Sequence, residues 1–174
     1  MFVSFRVKTI LGIALIEAVL LIALITMVLD YLKSSNYDAL SKRALTTATL
    51  FATTTKDGVL SYDLASLEAF VSEVLKNPDL KYARVLGPQG ELFASGGDIA
   101  ALQRTFKQDL SVEQVTDGIY DTVATISEAG VIYGRVELGL DIAPIIAIID
   151  EAQQRSAIIG LIEMALVALF SLIL

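Results

Sequence analysis

Two long apolar runs constrain this chain more than any other feature. Thr9–Leu29 carries one charged side chain, Glu17, and Ala157–Leu174 carries one, Glu163. A helix needs about 20 mainly apolar residues to cross the hydrocarbon core of a bilayer, within a range of roughly 17–25. Both runs meet that length. A spanning helix also keeps every backbone N–H and C=O paired where there is no water to do so. The spacing therefore predicts transmembrane helices over 9–29 and 157–174. The first is expected to be an uncleaved anchor, because its apolar stretch exceeds the ~7–15 residues of a signal-peptide core. The "SSNYDAL" that follows it is no convincing small-residue cleavage site. Membrane helices are normally flanked by basic anchors. None follows the second run, so the chain is expected to be part of something longer.

Charge sets the expected orientation. Residues 1–8 hold Arg6 and Lys8, which places them in the cytoplasm by the positive-inside rule. Residues 30–156 then lie outside, with eleven basic and eighteen acidic side chains. That acidic balance, with no basic patch, argues against a nucleic-acid partner. The chain has no cysteine and no histidine. Disulfides and thiol chemistry are thus excluded, and the usual transition-metal sites are disfavoured.

Between the spans the pattern is mixed. Residues 30–56 contain neither Gly nor Pro and predict a helical stalk ending at Asp57-Gly58. Tyr37, Leu40, Ala44, Thr47 and Phe51 follow steps of three and four. Such a seam serves either a coiled coil or packing on the chain's own domain. Asp63 is placed to cap a helix over 64–76 that Asn77-Pro78 stops. "KYARVL", the turn "GPQG" and "ELFAS" predict a hairpin, and Gly96-Gly97 a break after it. Asp98 can cap a short helix reaching Phe106. A second hairpin is predicted over 119–127 and 131–140. In its last strand Ile132, Val136, Leu138 and Leu140 alternate with Tyr133, Arg135 and Glu137, the pattern of a sheet packed on one face. Asp141 caps a final helix over 142–156 that runs without a breaker into the second span. The predicted class is α+β: an antiparallel sheet core over 57–141 with flanking helices, carried on two membrane helices.

Candidate functional residues fall into two groups. An acid at mid-bilayer costs about 2.5–3.5 kcal/mol on insertion scales. Glu17 lies beside Ala14 and Ala18; Ala152, Ser156 and Gly160 run at steps of four toward Glu163. Small residues let membrane helices approach closely, and polar side chains hydrogen-bond across them. Both acids are therefore expected to specify which helix faces meet. The second group, Tyr82, Arg84, Tyr120, Tyr133 and Arg135, lies on the predicted strands. It offers polar groups for a small-anion pocket, or else a solvated sheet face with snorkelling stems. No nucleophile elbow or phosphate-binding loop occurs, and the paired carboxylates Asp150 and Glu151 read as a solvated helix face, so no catalytic, cofactor or metal residue is assigned.

The stretches "KTILGIALIEAVLLIALI", "TTATLFATTTKDGVL", "LASLEAFVSEVL", "YARVLGPQGELFASGG", "YGRVELGLDI" and "LIEMALVALFSLIL" resemble the N-terminal sensory region of bacterial two-span receptors. They are similar to the input modules of membrane-bound GGDEF/EAL cyclic-di-GMP proteins. Sensor histidine kinases and chemoreceptors share the layout. The resemblance implies a PAS-like or Cache-like periplasmic domain in the inner membrane and a parallel homodimer. It also implies an unknown small-molecule or protein stimulus, and an output domain beyond Leu174. It carries over no catalytic or ligand residue. The rival expectation is a structural dimerising anchor that binds nothing.

Overall fold

The computed structural model describes residues 5–173. Residues 1–4 of the predicted cytoplasmic segment 1–8, and Leu174 at the end of the second run, lie outside the described residues. The chain divides into two compact units: Tyr37–Pro144, and the two-helix unit formed by the residues on either side of it.

The central unit is an α+β domain. Helix α1 runs from Phe5 to Ser61, and its last 25 residues belong here. Then follow α2 (Leu64–Val74), β1 (Leu80–Leu86), β2 (Leu92–Gly97), α3 (Ile99–Gln103), β3 (Ile119–Glu128) and β4 (Val131–Asp141). The strands form one antiparallel sheet in the order β2-β1-β4-β3, two hairpins joined through β1 and β4. Ala83 faces Leu138, Val85 faces Val136, and Thr122 and Ala124 face the same pair from β3. This row forms one side of the sheet. Ser41 on α1 meets Tyr120 of this side at 3.1 Å. Leu40, Ala44, Ala48, Phe51, Ala52, Thr55 and Val59 make the buried stripe of α1. Leu67 and Val71 of α2 complete the core. Each fully buried aliphatic side chain here contributes about 1.5–3 kcal/mol relative to exposure.

The 3-4 seam on the stalk therefore packs on its own domain at Leu40, Ala44 and Phe51, while Tyr37 and Thr47 sit half-buried at its edges. Helix α1 also passes through Asp57-Gly58 and stops five residues after Lys56. Gly58 serves packing there: a Cβ on it would lie 2.8 Å from a Leu67 methyl. The left-handed residue that ends the helix is Tyr62, at φ 56°. Its N–H reaches the Val59 carbonyl, and the Asp63 N–H reaches that of Gly58, the paired bonds of a Schellman end. The Tyr62 ring rests against Phe93, with centroids 5.4 Å apart.

Gly96 and Gly97 likewise end β2 instead of breaking the chain after it, pairing with Ala83 and Tyr82. Val71 and Leu75 sit where a Gly96 side chain would go. Asp63 and Asp98 cap their helices as expected, each accepting from the N–H three residues on. Asp141 accepts from the Ala143 N–H at the start of α4 (Ala143–Ile173).

The second unit consists of the apolar part of α1 and most of α4. Both helices are long and apolar enough to cross a membrane. Their most apolar 18-residue stretches are 0% and 6% buried. The less exposed residues recur at steps of three and four: Ala14, Ala18, Leu21, Ile25, Leu29 and Leu32 on α1, and Ile149, Ala152, Ser156 and Gly160 on α4. Gly160 is buried, and a Cβ on it would lie 3.4 Å from Ile25 and Leu21. Gly160 thus lies against α1.

Candidate functional site

The sheet's other side carries the polar chemistry. Tyr82, Arg84, Asp121, Glu137 and Arg135 alternate with the core row on β1, β3 and β4. One-sided packing predicts this side to be solvated. Instead Glu137 is 1% exposed, Tyr82 1% and Asp121 2%. The cause is the segment 98–118, which contains α3 and a single 3-10 turn and lies across this side as a strap.

Buried polar groups have to be paired, and here the pairing sews strap to sheet. Arg84 Nη2 donates to the carbonyls of Leu102 and Arg104, at 2.6 and 3.1 Å. These are carbonyls at the C-terminal end of α3 that the short helix leaves open. Arg84 Nη1 donates to Glu137 at 3.3 Å, and Arg135 Nε donates to the other Glu137 oxygen at 2.9 Å. Tyr82 Oη donates to Asp121 Oδ1 at 2.8 Å, and the Arg84 guanidinium lies 4.9 Å from the Tyr82 ring centroid.

Arg104, from the strap, donates through Nη2 to Asp121 Oδ2 at 3.1 Å and to Asp117. The Asp121 N–H donates to the Asp109 carboxylate, and the Asp109 N–H returns to the Asp121 carbonyl. Among the buried side-chain polar atoms of the described residues, Arg104 Nη1 is the one left without a partner. It is a free donor at the meeting point of strap and sheet.

Burial holds the Asp121 carboxyl above the ordinary aspartate range, opposed by the Tyr82 hydrogen bond and the Arg104 charge. Burial also raises the Tyr82 hydroxyl, reinforced by its bond to Asp121. The phenol therefore stays protonated, fixed as a donor to that carboxylate. No group of three or more Asp or Glu side chains able to hold a metal ion occurs among the described residues.

Of the five strand residues singled out by sequence, the structure brings Tyr82, Arg84 and Arg135 together. Tyr120 lies on the opposite side, bonded to Ser41. Tyr133 shares their alternation but is half-buried near the β3–β4 turn and makes no hydrogen bond among the described residues. Asp121, Glu137 and Arg104 complete the cluster, and sequence reasoning did not select them. Strict alternation with Leu138 and Leu140 marks Glu137's side of the sheet, but only the strap's path shows that side to be covered.

The membrane acids stand apart. Glu17 and Glu163 are both exposed and make no hydrogen bond or ion pair among the described residues. Ala14, Ala18, Ala152 and Ser156 are half-buried and Gly160 lies against Leu21 and Ile25, whereas neither acid is covered.

No protein-family model matches this chain, and no curated protein matches it in sequence.

Proposed function

We propose that this chain is the transmembrane sensory input module of a bacterial receptor in the inner membrane, with residues 30–156 periplasmic. The observation that carries this reading is continuity. Helix α1 proceeds from its apolar stretch into the domain core without a break, and β4 passes through Asp141 directly into α4. A domain inserted between two membrane helices with no flexible connector can send a displacement along either. The strap cluster supplies the input. It holds a buried ionic network and a free Arg104 donor beneath a segment with little secondary structure. A stimulus that satisfies this donor, or competes for Arg84, shifts the strap and with it β3 and β4. The domain is of the PAS-like or Cache-like kind. The output that fits the resemblance is cyclic-di-GMP synthesis or hydrolysis by a cytoplasmic domain following the second span.

The test is a fusion of residues 1–174 to a diguanylate cyclase domain in a bacterial host. At equal membrane abundance, Arg104→Gln and Asp121→Asn are expected to change the cyclic-di-GMP level several-fold, while Ser72→Ala on the exposed side of α2 leaves it unchanged. Wild-type output from both cluster variants would refute the reading.

A further inference from the structure

The cluster contains two buried carboxylates, and they are paired unequally. Glu137 and Asp121 are the buried acidic side chains of the described residues. Glu137 meets two guanidinium groups, Arg84 and Arg135, one on each oxygen. Asp121 meets one cation, Arg104, and shares it with Asp117. Its other side-chain donor, the Tyr82 hydroxyl, is neutral. A further acid, Asp109, sits against the Asp121 backbone N–H. The groups around Asp121 are therefore Tyr82 and Arg84 from β1, Glu137 from β4, and Arg104, Asp109 and Asp117 from the strap. Arg84 lies over the Tyr82 ring but directs its donors to Glu137 and to the strap's carbonyls. The strap thus brings two negative charges and one positive charge to a carboxylate that is already buried. Burial favours the neutral acid there, and the charges of Asp109 and Asp117 act in the same direction.

The strap's attachments leave its middle dependent on this site. At its start, the Asp98 N–H donates to the Lys81 carbonyl at 2.7 Å, Ala101 is buried, and Arg84 holds the carbonyls of Leu102 and Arg104. At its end, the Gly118 carbonyl accepts from the Ile142 N–H at 3.1 Å. Residues 105–117 between these ends are tied down by the ion pairs of Arg104, by the paired bonds of Asp109 with Asp121, and by the burial of Val112. Lifting them would carry Asp109 and Asp117 away from Asp121 and admit water to it. An ionised Asp121 gains hydration and loses repulsion when that happens, at the cost of Arg104. A neutral Asp121 has no such gain. Its protonated carboxyl also keeps acceptor capacity for Tyr82 and Arg104. Asp121 therefore holds a proton more firmly under the closed strap than under the lifted one. By linkage, a proton bound there favours closure.

We propose that the strap is a proton-operated clamp: a proton taken up at Asp121 draws residues 105–117 onto the sheet, and its loss lets them lift between fixed ends at α3 and Gly118. As the input of a receptor this rests on the reading above, and it makes external acidity the stimulus. The direction is opposite to that of acid unfolding, since here acid tightens a contact.

Hydrogen exchange of the full chain in mild detergent micelles tests the clamp, at about pH 5 and pH 8 and corrected for the intrinsic pH dependence of amide exchange. Residues 105–117 are expected to be several-fold better protected at the acid pH, with β1 and β4 equally protected at both. Asp121→Asn, which has nearly the shape of the neutral acid, is expected to abolish the dependence. Asp117→Asn alters an exposed residue and so guards against a folding failure. It removes a repelling charge, and the midpoint of the change is expected to move to lower pH. Protection of 105–117 that is equal or weaker at the acid pH, or a wild-type dependence in Asp121→Asn, would overturn the proposal. The measurement needs no output domain. Its failure is therefore distinct from wild-type output of the cyclase-fusion variants, which refutes the receptor reading and leaves the clamp in place.

Discussion

Replacing Arg84 with methionine is expected to lower the stability of the sheet domain by about 3–5 kcal/mol, the usual cost of breaking a buried ion pair from one side. The Arg84 side chain is 12% exposed and that of Glu137 2%. Methionine fills most of the same volume but donates nothing. Glu137 then keeps only Arg135, whose side chain is 43% exposed. The carbonyls of Leu102 and Arg104 lose their shared donor as well. Urea unfolding of the full chain in mild detergent micelles measures the loss. Adding Glu137→Leu removes the stranded charge, so the double variant is expected to be more stable than Arg84→Met alone. A double variant no more stable than the single one would show that the strap's two carbonyls, and not the ion pair, dominate Arg84's role.

The second large effect is steric. A Cβ at Gly139 would lie 2.2 and 2.5 Å from ring atoms of Tyr82 and 2.7 Å from a methyl of Ile119. Tyr82 is 1% exposed and fixed by its bond to Asp121, so it has nowhere to move without breaking that bond. Gly139→Ala is therefore expected to cost about 2–5 kcal/mol, combining overpacking with a lost buried hydrogen bond. Gly130→Ala is the matched control. Gly130 sits in the β3–β4 turn at φ 82° with nothing within 4 Å of the added carbon. Alanine there meets backbone strain of about 1–2 kcal/mol and no clash. Equal losses at the two glycines in thermal unfolding would contradict the close packing assigned to Tyr82.

Much of this architecture is legible in the sequence because it is written in local chemistry. The apolar runs set the two long helices, the alternation at 131–140 set a strand, and Asp63 and Asp98 set two helix starts. What was not legible depends on contacts distant in the chain. Gly58, Gly96 and Gly97 look like breakers, yet Gly58 and Gly96 give α2 room to approach α1 and β2, and Gly97, at φ 114°, lets β2 lie close to the β1 backbone at Lys81. Charged and aromatic residues alternating with a core row suggest a solvated face. That suggestion fails here because residues 98–118 have no strong periodicity and still cover it. Half of the cluster, Tyr82, Arg84 and Arg135, came from strand position alone. Asp121, Glu137 and Arg104 gain their significance only from what the strap buries.

The central claim is that α1 and α4 carry displacement through both junctions as rigid helices. Nitroxide spin labels on single cysteines at Ser35 and Gln153, both exposed, test it most directly in liposomes. Nanosecond backbone motion as restricted as that at Thr46 is predicted at both positions. Fast, nearly isotropic motion at either would reveal a flexible joint and contradict the account.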